Sequence, residues 1–260
     1  VGLNFAKSLA LSLNKPFIAV NHLEGHAISP RLVTELNFPY LLLLISGGHT
    51  QFLSVKKFGK YKRLGTTIDD ALGEAFDKTA KMIGIEFPGG PYLEKLAEKG
   101  NPNRFDLPKP ILKKGGCNVS FAGLKTAVLK ISKIIKNEDD KNDLAASFQK
   151  TIQEILYVKT KNAFKEFKYI SKKKENTFVV AGGVAANRSL RKTLADVSFE
   201  NNFNPIFPPI EFCGDNAAMI AMAGLEKFKL EKFDKLNHPA KPRWPLDDKA
   251  IFLKGAGVRL

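Results

Sequence analysis

"PYLLLLISGGHTQFLSVKKFGKYKRLGTTIDDALGEAFDKTAKMIG", residues 39–84, holds two periodicities in succession. "PYLLLLIS" (39–46), "HTQFLSVKKFG" (49–59) and "KYKRLGTT" (60–67) read as three strands joined by tight turns, a β-meander. "DALGEAFDKTAKMIG" (70–84) then follows the period of an amphipathic helix, with Asp69 or Asp70 placed to cap its start and Gly84 its end.

Working outward, the chain before this block opens with "VGLNFAKSLALSLNKP", already in helical pattern and without a preceding cap, so a fragment of a longer protein is expected. "PFIAV" (16–20) reads as a short buried strand. Beyond the block, "FPGGP" is a rigid loop, and residues 91–170 are mainly helical, interrupted by "NPNRFDLPKPILKKGGCN" (101–118). "TFVVAGGVAANRSLRKTL" (177–194) is a strand, a Gly-Gly turn and a helix; "NPIFPP" gives a further strand and "GDNAAMIAMAGLEKF" a further helix. Three strands, a helix, then strand–helix alternation is the order of one half of an actin-like ATPase domain. Such folds hold phosphates with backbone N–H groups at glycine turns after strands. Ser46–Thr50 and Ala181–Val184 both qualify. Hairpins also use glycine for positive φ, but two such turns after apolar strands point to a nucleotide cleft.

"NHLEGHA" (21–27) places His22 and His26 four apart, on one face of a helix that Asn21 can cap and Pro30 limits. A ligand pair for zinc or iron and a pair of packed or surface histidines stay equally open on this spacing. Glu24 lies two residues from each histidine, roughly 200° around the helix, unlike the base of a metalloprotease helix. Asp215, at the start of a helix, is by default a cap, yet would complete a His₂Asp site. Asp77 follows Asp70 by seven residues and shares its helix face, where carboxylates suit hydroxyls or magnesium as readily as solvent. Asn187 follows the second glycine turn, where it can read a base or ribose or cap a helix. His49 and His238 are single histidines, more often structural than catalytic.

Lys+Arg 41 against Asp+Glu 26 gives 41 − 26 = +15, a surplus that suits nucleic acid, although lysine-rich runs such as "SKKKEN" also follow from genomic bias. Two cysteines, Cys117 and Cys213, exclude a disulfide framework and fit a reducing, cytoplasmic compartment. "LLLLIS" is too short to span a bilayer, so no membrane association is expected.

Taken together and in order, "NHLEGHA", "LLISGGHTQ", "IDDALGEAFDKTAKMIG", "PGGP", "SFAGLKTA", "AGGVAANRSLR" and "CGDNAAMIA" resemble the tRNA N6-adenosine threonylcarbamoyltransferase family over residues 1–225. The resemblance implies an α/β, actin-like ATPase fold of two lobes with a metal between them. It also implies transfer of threonylcarbamoyl from threonylcarbamoyl-AMP to N6 of adenosine 37 in tRNAs reading codons that begin with A. His22, His26 and Asp215 match the family's ligands for one iron or zinc ion. Leu44, Ile45, Ser46, Gly47 and Gly48 match its first substrate loop, and Asp77, Gly90 and Asn187 match further contacts to the adenylate. No general base for N6 is identified. Expected partners are an actin-like paralogue and a P-loop ATPase besides tRNA and the donor. The family's opening "GIETS"-like loop has no counterpart, so residues 1–37 are expected to be the remainder of the first lobe. Residues 38–230 would form the second lobe with a helical insertion, and 231–260 an irregular tail. The competing classes are a truncated, non-catalytic member that binds partners, a metallo-endopeptidase, which the position of Glu24 disfavours, and an actin-like sugar kinase, which does not require the histidine pair.

Overall fold

Strand β1 (Tyr40–Ile45) is buried at all of its positions, because helices cover both faces of the sheet in which it lies. Its alternate side chains divide between two cores. Leu41, Leu43 and Ile45 enter one and Tyr40, Leu42 and Leu44 the other. The computed structural model describes residues 1–172, 176–251 and 253. Lys173, Lys174 and the end of the tail, which belong to runs singled out above, lie outside the described residues.

In chain order, helices α1 (Gly2–Ser12) and α2 (His22–Ile28) precede β1. Strands β2 (Thr50–Lys57) and β3 (Lys60–Thr66) follow, then helices α3 (Leu72–Met82), α4 (Gly89–Ala97), α5 (Ala122–Ser132) and α6 (Glu138–Ser171). Strand β4 (Asn176–Ala181), helix α7 (Arg188–Glu200), strand β5 (Phe203–Ile206) and helix α8 (Ala217–Lys229) complete the order. The five strands form one sheet, β3-β2-β1-β4-β5, in which β1–β3 are antiparallel and β4 and β5 join in parallel. The larger core lies between the sheet and α3–α7, and the smaller one packs Leu23, Ala27 and Ile28 of α2 and Ala223 of α8 on the other face.

The meander, the following helix and both later strand–helix units form where their patterns predict. Two local expectations fail. "PFIAV" is not a strand: Phe17 makes a single bridge to Asp234, and the Ala19 N–H donates to the Asp234 carboxylate at 2.9 Å, so the tail satisfies this backbone. Neither Asp69 nor Asp70 caps α3, whose N-cap is Ala71. Asp69 accepts from the Phe121 N–H at 2.8 Å and from the Ser120 hydroxyl, and Asp70 pairs with Lys78 and Lys125 at 3.2 Å each. Asp70 therefore precedes the helix and shares no helix face with Asp77. The capping is done by the β1–β2 turn: Leu72 N–H donates to the Thr50 hydroxyl (2.9 Å) and Gly73 N–H to the Ser46 carbonyl (3.2 Å).

Helix α6 starts where Asn137 accepts from the Asp140 N–H, with Glu138, Asp139 and Asp140 opposing the positive end of its dipole. Lys159 is fully buried in its middle; burial lowers its pKa, and Nζ donates to the Lys114 carbonyl at 2.7 Å. Cys117 and Cys213 are both free and buried, and burial pushes the Cys117 thiol up to about 12. α1 buries none of its side chains, leaving Phe5, Leu9 and Leu11 exposed. From residue 231 on, the described backbone forms no helix or strand beyond the Asp234 bridge, as the composition predicts. Among the described residues no helix is long and apolar enough to cross a membrane.

Gly65 on β3 gives the sharpest stability test. A Cβ there would stand 2.3 Å from the Cys117 carbonyl carbon, a backbone atom, whereas one at Gly115 would meet nothing within 4 Å. Gly65→Ala should lower unfolding free energy by about 2 kcal/mol or more, and Gly115→Ala by less than about 0.5 kcal/mol. Urea midpoints of the two variants check this, and equal midpoints would contradict the packing at β3.

Candidate active site

Helix α2 starts because Asn21 accepts from the Leu23 N–H at 2.9 Å, and after Ile28 the chain tightens into a 3₁₀ turn at Ser29–Leu32 with Pro30 at its start. His22 and His26 share a face, with ring centroids 4.9 Å apart and planes nearly perpendicular. Asp215 meets them from the loop before α8. Its Oδ1 lies 3.2 Å from His22 Nε2 and 3.0 Å from His26 Nε2. Asp215 is free to do so because Asn216, not Asp215, caps α8 by accepting from the Met219 N–H at 2.8 Å. His26 is buried while His22 and Asp215 are half or more exposed, so the cluster opens to solvent on one side. Burial holds the His26 pKa below its usual value, the charge of His22 adds to this, and Asp215 opposes both. His26 Nδ1 is buried without a hydrogen-bond partner.

Glu24 points the other way. It is buried, accepts from the Tyr61 hydroxyl at 2.9 Å, and burial raises its pKa against the lowering effects of Tyr61, Lys227 and Lys232.

The glycine turns sit beside each other. Gly182, at φ +99°, would place a Cβ 2.4 Å from the Ile45 carbonyl oxygen, so only glycine permits this approach of the second turn to the end of β1. In the first turn, Ser46 N–H donates to the His49 carbonyl (2.8 Å) and His49 N–H to the Ser46 hydroxyl (3.2 Å). The N–H groups of Gly47 and Gly48 have no partner among the described residues. A cavity of about 650 Å³ opens here, and its walls include Gly47, Gly73, Asp77, Gly90, Gly183 and Asn187.

Of the candidates for the substrate site, Gly47, Asp77, Gly90 and Asn187 therefore line one cavity. Leu44 and Ile45 are fully buried in β1, so their side chains do not reach the cavity; Ser46 closes the turn, and Gly48 stands in open space. Asp77 holds the "FPGGP" loop by accepting from the Gly89 N–H at 2.9 Å. Asn187 is a cap: Oδ1 accepts from the Leu190 N–H and Nδ2 donates to Gln149, which leaves one N–H of its amide uncommitted. His49 ends the first glycine turn; burial lowers its pKa, and the charges of His22 and His26 lower it further. His238 stays apart, next to Asp234 and Trp244.

Gly73, Gly89 and Glu94 also shape the site. A Cβ at Gly73 would lie 2.7 Å from the Ser46 carbonyl oxygen, and one at Gly89 would lie 2.3 Å from Ala80 Cβ. Glu94 accepts from the Arg188 and Ser189 N–H groups, at 2.7 and 3.3 Å, closing the cavity wall between α4 and α7. Nothing in their local sequence marks these contacts, which span from 9 to 95 residues of chain.

With this geometry in place, similarity to known proteins can be weighed. The family model described as TsaD, tRNA N6-adenosine threonylcarbamoyltransferase, matches residues 1–222. The protein of that name from Pelagibacter ubique (strain HTCC1062) is 72% identical over 260 residues, which are 100% of this chain and 73% of that one. Its namesake from Rickettsia rickettsii (strain Sheila Smith) is 52% identical over 251 residues, 95% of this chain and 73% of that one. Among solved structures, HypF of T. kodakarensis superposes with a TM-score of 0.63 at 15% identity, over 87% of this chain and 39% of that one. Full-length HypF in a phosphate- and nucleotide-bound form gives 0.64 at 14%, over 87% and 38%. These two likenesses bear on the fold alone, and they agree with the actin-like ATPase architecture read from the strand order. A match over most of the chain and an identity of 72% leave one conclusion: the chain belongs to the tRNA N6-adenosine threonylcarbamoyltransferase family.

Proposed function

We propose that this chain carries out the reaction of its family, moving the threonylcarbamoyl group from threonylcarbamoyl-AMP to N6 of adenosine 37 in tRNAs that read codons beginning with A. The tRNA-modifying function follows from the family and from relatives named for it. The observation that carries the assignment of the site is the Ser46–His49 turn. Gly47 lines the cavity, and the N–H groups of Gly47 and Gly48 have no partner among the described residues.

The donor is a mixed anhydride, so the chemistry needs positioning and charge stabilisation more than a strong nucleophile. The N6 amine attacks the carbamoyl carbon, the carbon–oxygen bond to phosphate breaks, and AMP departs with its electron pair while N6 gives up a proton. The Gly47 and Gly48 amides suit the phosphate, since backbone N–H groups without a Cβ between them can approach an anion directly. Asp77 and Asn187 stand at the cavity wall, where a carboxylate and an uncommitted amide N–H suit the ribose and base.

The proposal includes one divalent metal ion, iron or zinc, on His22, His26 and Asp215. The three donor atoms lie within 4.8 Å of one another. Ligands about 2.0–2.1 Å from a tetrahedral ion stand roughly 3.3 Å apart, close to the 3.0 and 3.2 Å observed between Asp215 Oδ1 and the two nitrogens. A neutral His26 and an open side also fit a ligand set with exchangeable positions. Held by these three residues, such an ion would supply Lewis-acid chemistry toward the threonylcarbamoyl group. An actin-like paralogue and a P-loop ATPase as assembly partners, and a cytoplasmic location, complete the proposal. The peptidase reading lacks its base, because Glu24 is buried against Tyr61 on the far side of α2.

Two measurements test this assignment. Purified protein should carry about one iron or zinc ion per chain, and His22→Ala or Asp215→Ala should each remove most of it by elemental analysis. Unchanged metal content in both variants would exclude the cluster. Gly47→Val adds atoms where the chain leaves more than 4 Å of free space, so its melting temperature should hold while AMP affinity in calorimetry falls at least about tenfold. Unchanged AMP binding would move the donor away from this turn.

A further inference from the structure

The β2–β3 hairpin carries Lys56, Lys57, Lys60, Lys62 and Arg63 with no acidic residue between them. It forms the edge of the sheet, turning at Phe58-Gly59, where Gly59 takes φ +71°. Lys56, Lys57, Lys60 and Lys62 are exposed, and none has an ion-pair or side-chain hydrogen-bond partner among the described residues. This differs from Lys78, Lys109 and Lys141, each of which meets a carboxylate. Lys232 adds charge at the turn, its Nζ 4.0 Å from where a Gly59 Cβ would stand. Arg63 is engaged by the tail, its N–H donating to Asp247 and its guanidinium to the Ile251 carbonyl, so it stands outside the free set.

The register concentrates the charge. Lys57 lies opposite Lys60 and Ser54 opposite Lys62, so Lys57, Lys60 and Lys62 share one face of the ribbon. Like charges directly opposite across a ladder are destabilising, and a bound polyanion removes that cost. On the other face Val55, Phe58 and Tyr61 pack into the smaller core, and Tyr61 donates to Glu24 of α2. The lysines thus stand on a ribbon fixed to the helix that carries His22 and His26. β2 begins at Thr50, next to His49, and its eight residues span about 27 Å from the site turn to the hairpin tip.

We infer that this lysine face docks the phosphodiester backbone of the tRNA substrate, holding an arm of the RNA along the sheet edge while one nucleotide reaches the site. The inference rests on the functional reading above and adds where the RNA lies. Phosphate contacts of this kind position a nucleic acid without reading its bases. The Tyr61–Glu24 bond sets the hairpin in register with the histidine pair, so a base held at the site and a backbone held on the lysines are a fixed distance apart.

The test compares the 260-residue chain carrying Lys57→Gln, Lys60→Gln and Lys62→Gln with one carrying Lys130→Gln, Lys133→Gln and Lys136→Gln, exposed lysines at the end of α5 and just beyond it. Binding of an unmodified tRNA transcript is titrated across salt concentrations, with AMP affinity and melting temperature measured in parallel. The hairpin triple should weaken tRNA binding about tenfold or more at 0.1 M salt and reduce the log–log salt slope by about 2. Its AMP affinity should not change, and its melting temperature should hold or rise as the Lys57–Lys60 repulsion is relieved. The α5 triple should change tRNA affinity less than about threefold. Each hairpin lysine replaced singly should lower the slope by about 0.7, which preserves the test should the triple fold poorly. Equal losses in both triples, or none in the hairpin variants, would overturn the docking face while leaving the functional reading intact. Wild-type chain that binds AMP but no tRNA at any salt concentration would overturn the tRNA part of that reading and the docking face with it.

Discussion

The approach of α3 to the Ser46–Gly47 turn constrains more of this molecule than any other contact. Gly73 lies so close that a Cβ would meet the Ser46 carbonyl oxygen and the Gly47 backbone at 2.7–2.9 Å. Thr50 and Ser46 satisfy the first N–H groups of α3 in return. The turn is thereby held from beneath, with Gly47 on the cavity wall. Gly182 locks the second glycine turn against Ile45 by the same device, backbone on backbone. Two loops that would otherwise be mobile become walls of one cavity, and α3 carries Phe76 and Asp77 into it.

The histidine cluster is built differently, from a short helix held by its back. α2 has seven residues, too few to persist alone. Leu23, Ala27 and Ile28 bury its apolar side, and Tyr40 donates to the Ala27 carbonyl at 2.9 Å. Glu24 fastens the helix to β3 through Tyr61. These contacts leave His22 and His26 on the remaining face of the helix, where Asp215 arrives from the loop before α8. Both elements rest on the face of the sheet opposite the larger core, so the cluster and the turns of the cavity take their relative positions from β1.

Charge is distributed in a way that composition conceals. The surplus of +15 could be spread evenly, but Lys78 on α3, Lys141 and Lys150 on α6, and Lys109 facing α6 meet carboxylates in the fold. Those on the β2–β3 hairpin do not. Cations clustered without partners on a rigid edge differ physically from those paired with carboxylates, because the unneutralised cluster projects the stronger field toward a polyanion.

The sequence by itself determined most of the elements and the shared helix face of His22 and His26. Unbroken burial of β1 follows from "YLLLLI", the α2 cap from Asn21, the helix end from Gly84, and the shared face of His22 and His26 from a spacing of four. Such features depend on near neighbours, whose geometry the period of a helix or strand dictates. The ordered motifs also carried the family, because each preserves local residue types. Tertiary structure alone decided who pairs with whom over long separations. Asp69 and Asp70 read as caps, yet Ser120, Phe121, Lys78 and Lys125 claim them, and Thr50 takes over the cap. Asp215 read as a cap by default, and Asn216 beside it frees it for the histidines. "PFIAV" has the residues of a strand but lies where the tail, not the sheet, supplies its partners. In each case several local solutions satisfy the same backbone group at similar free energy, and the choice falls to whichever distant segment packing brings within about 3 Å.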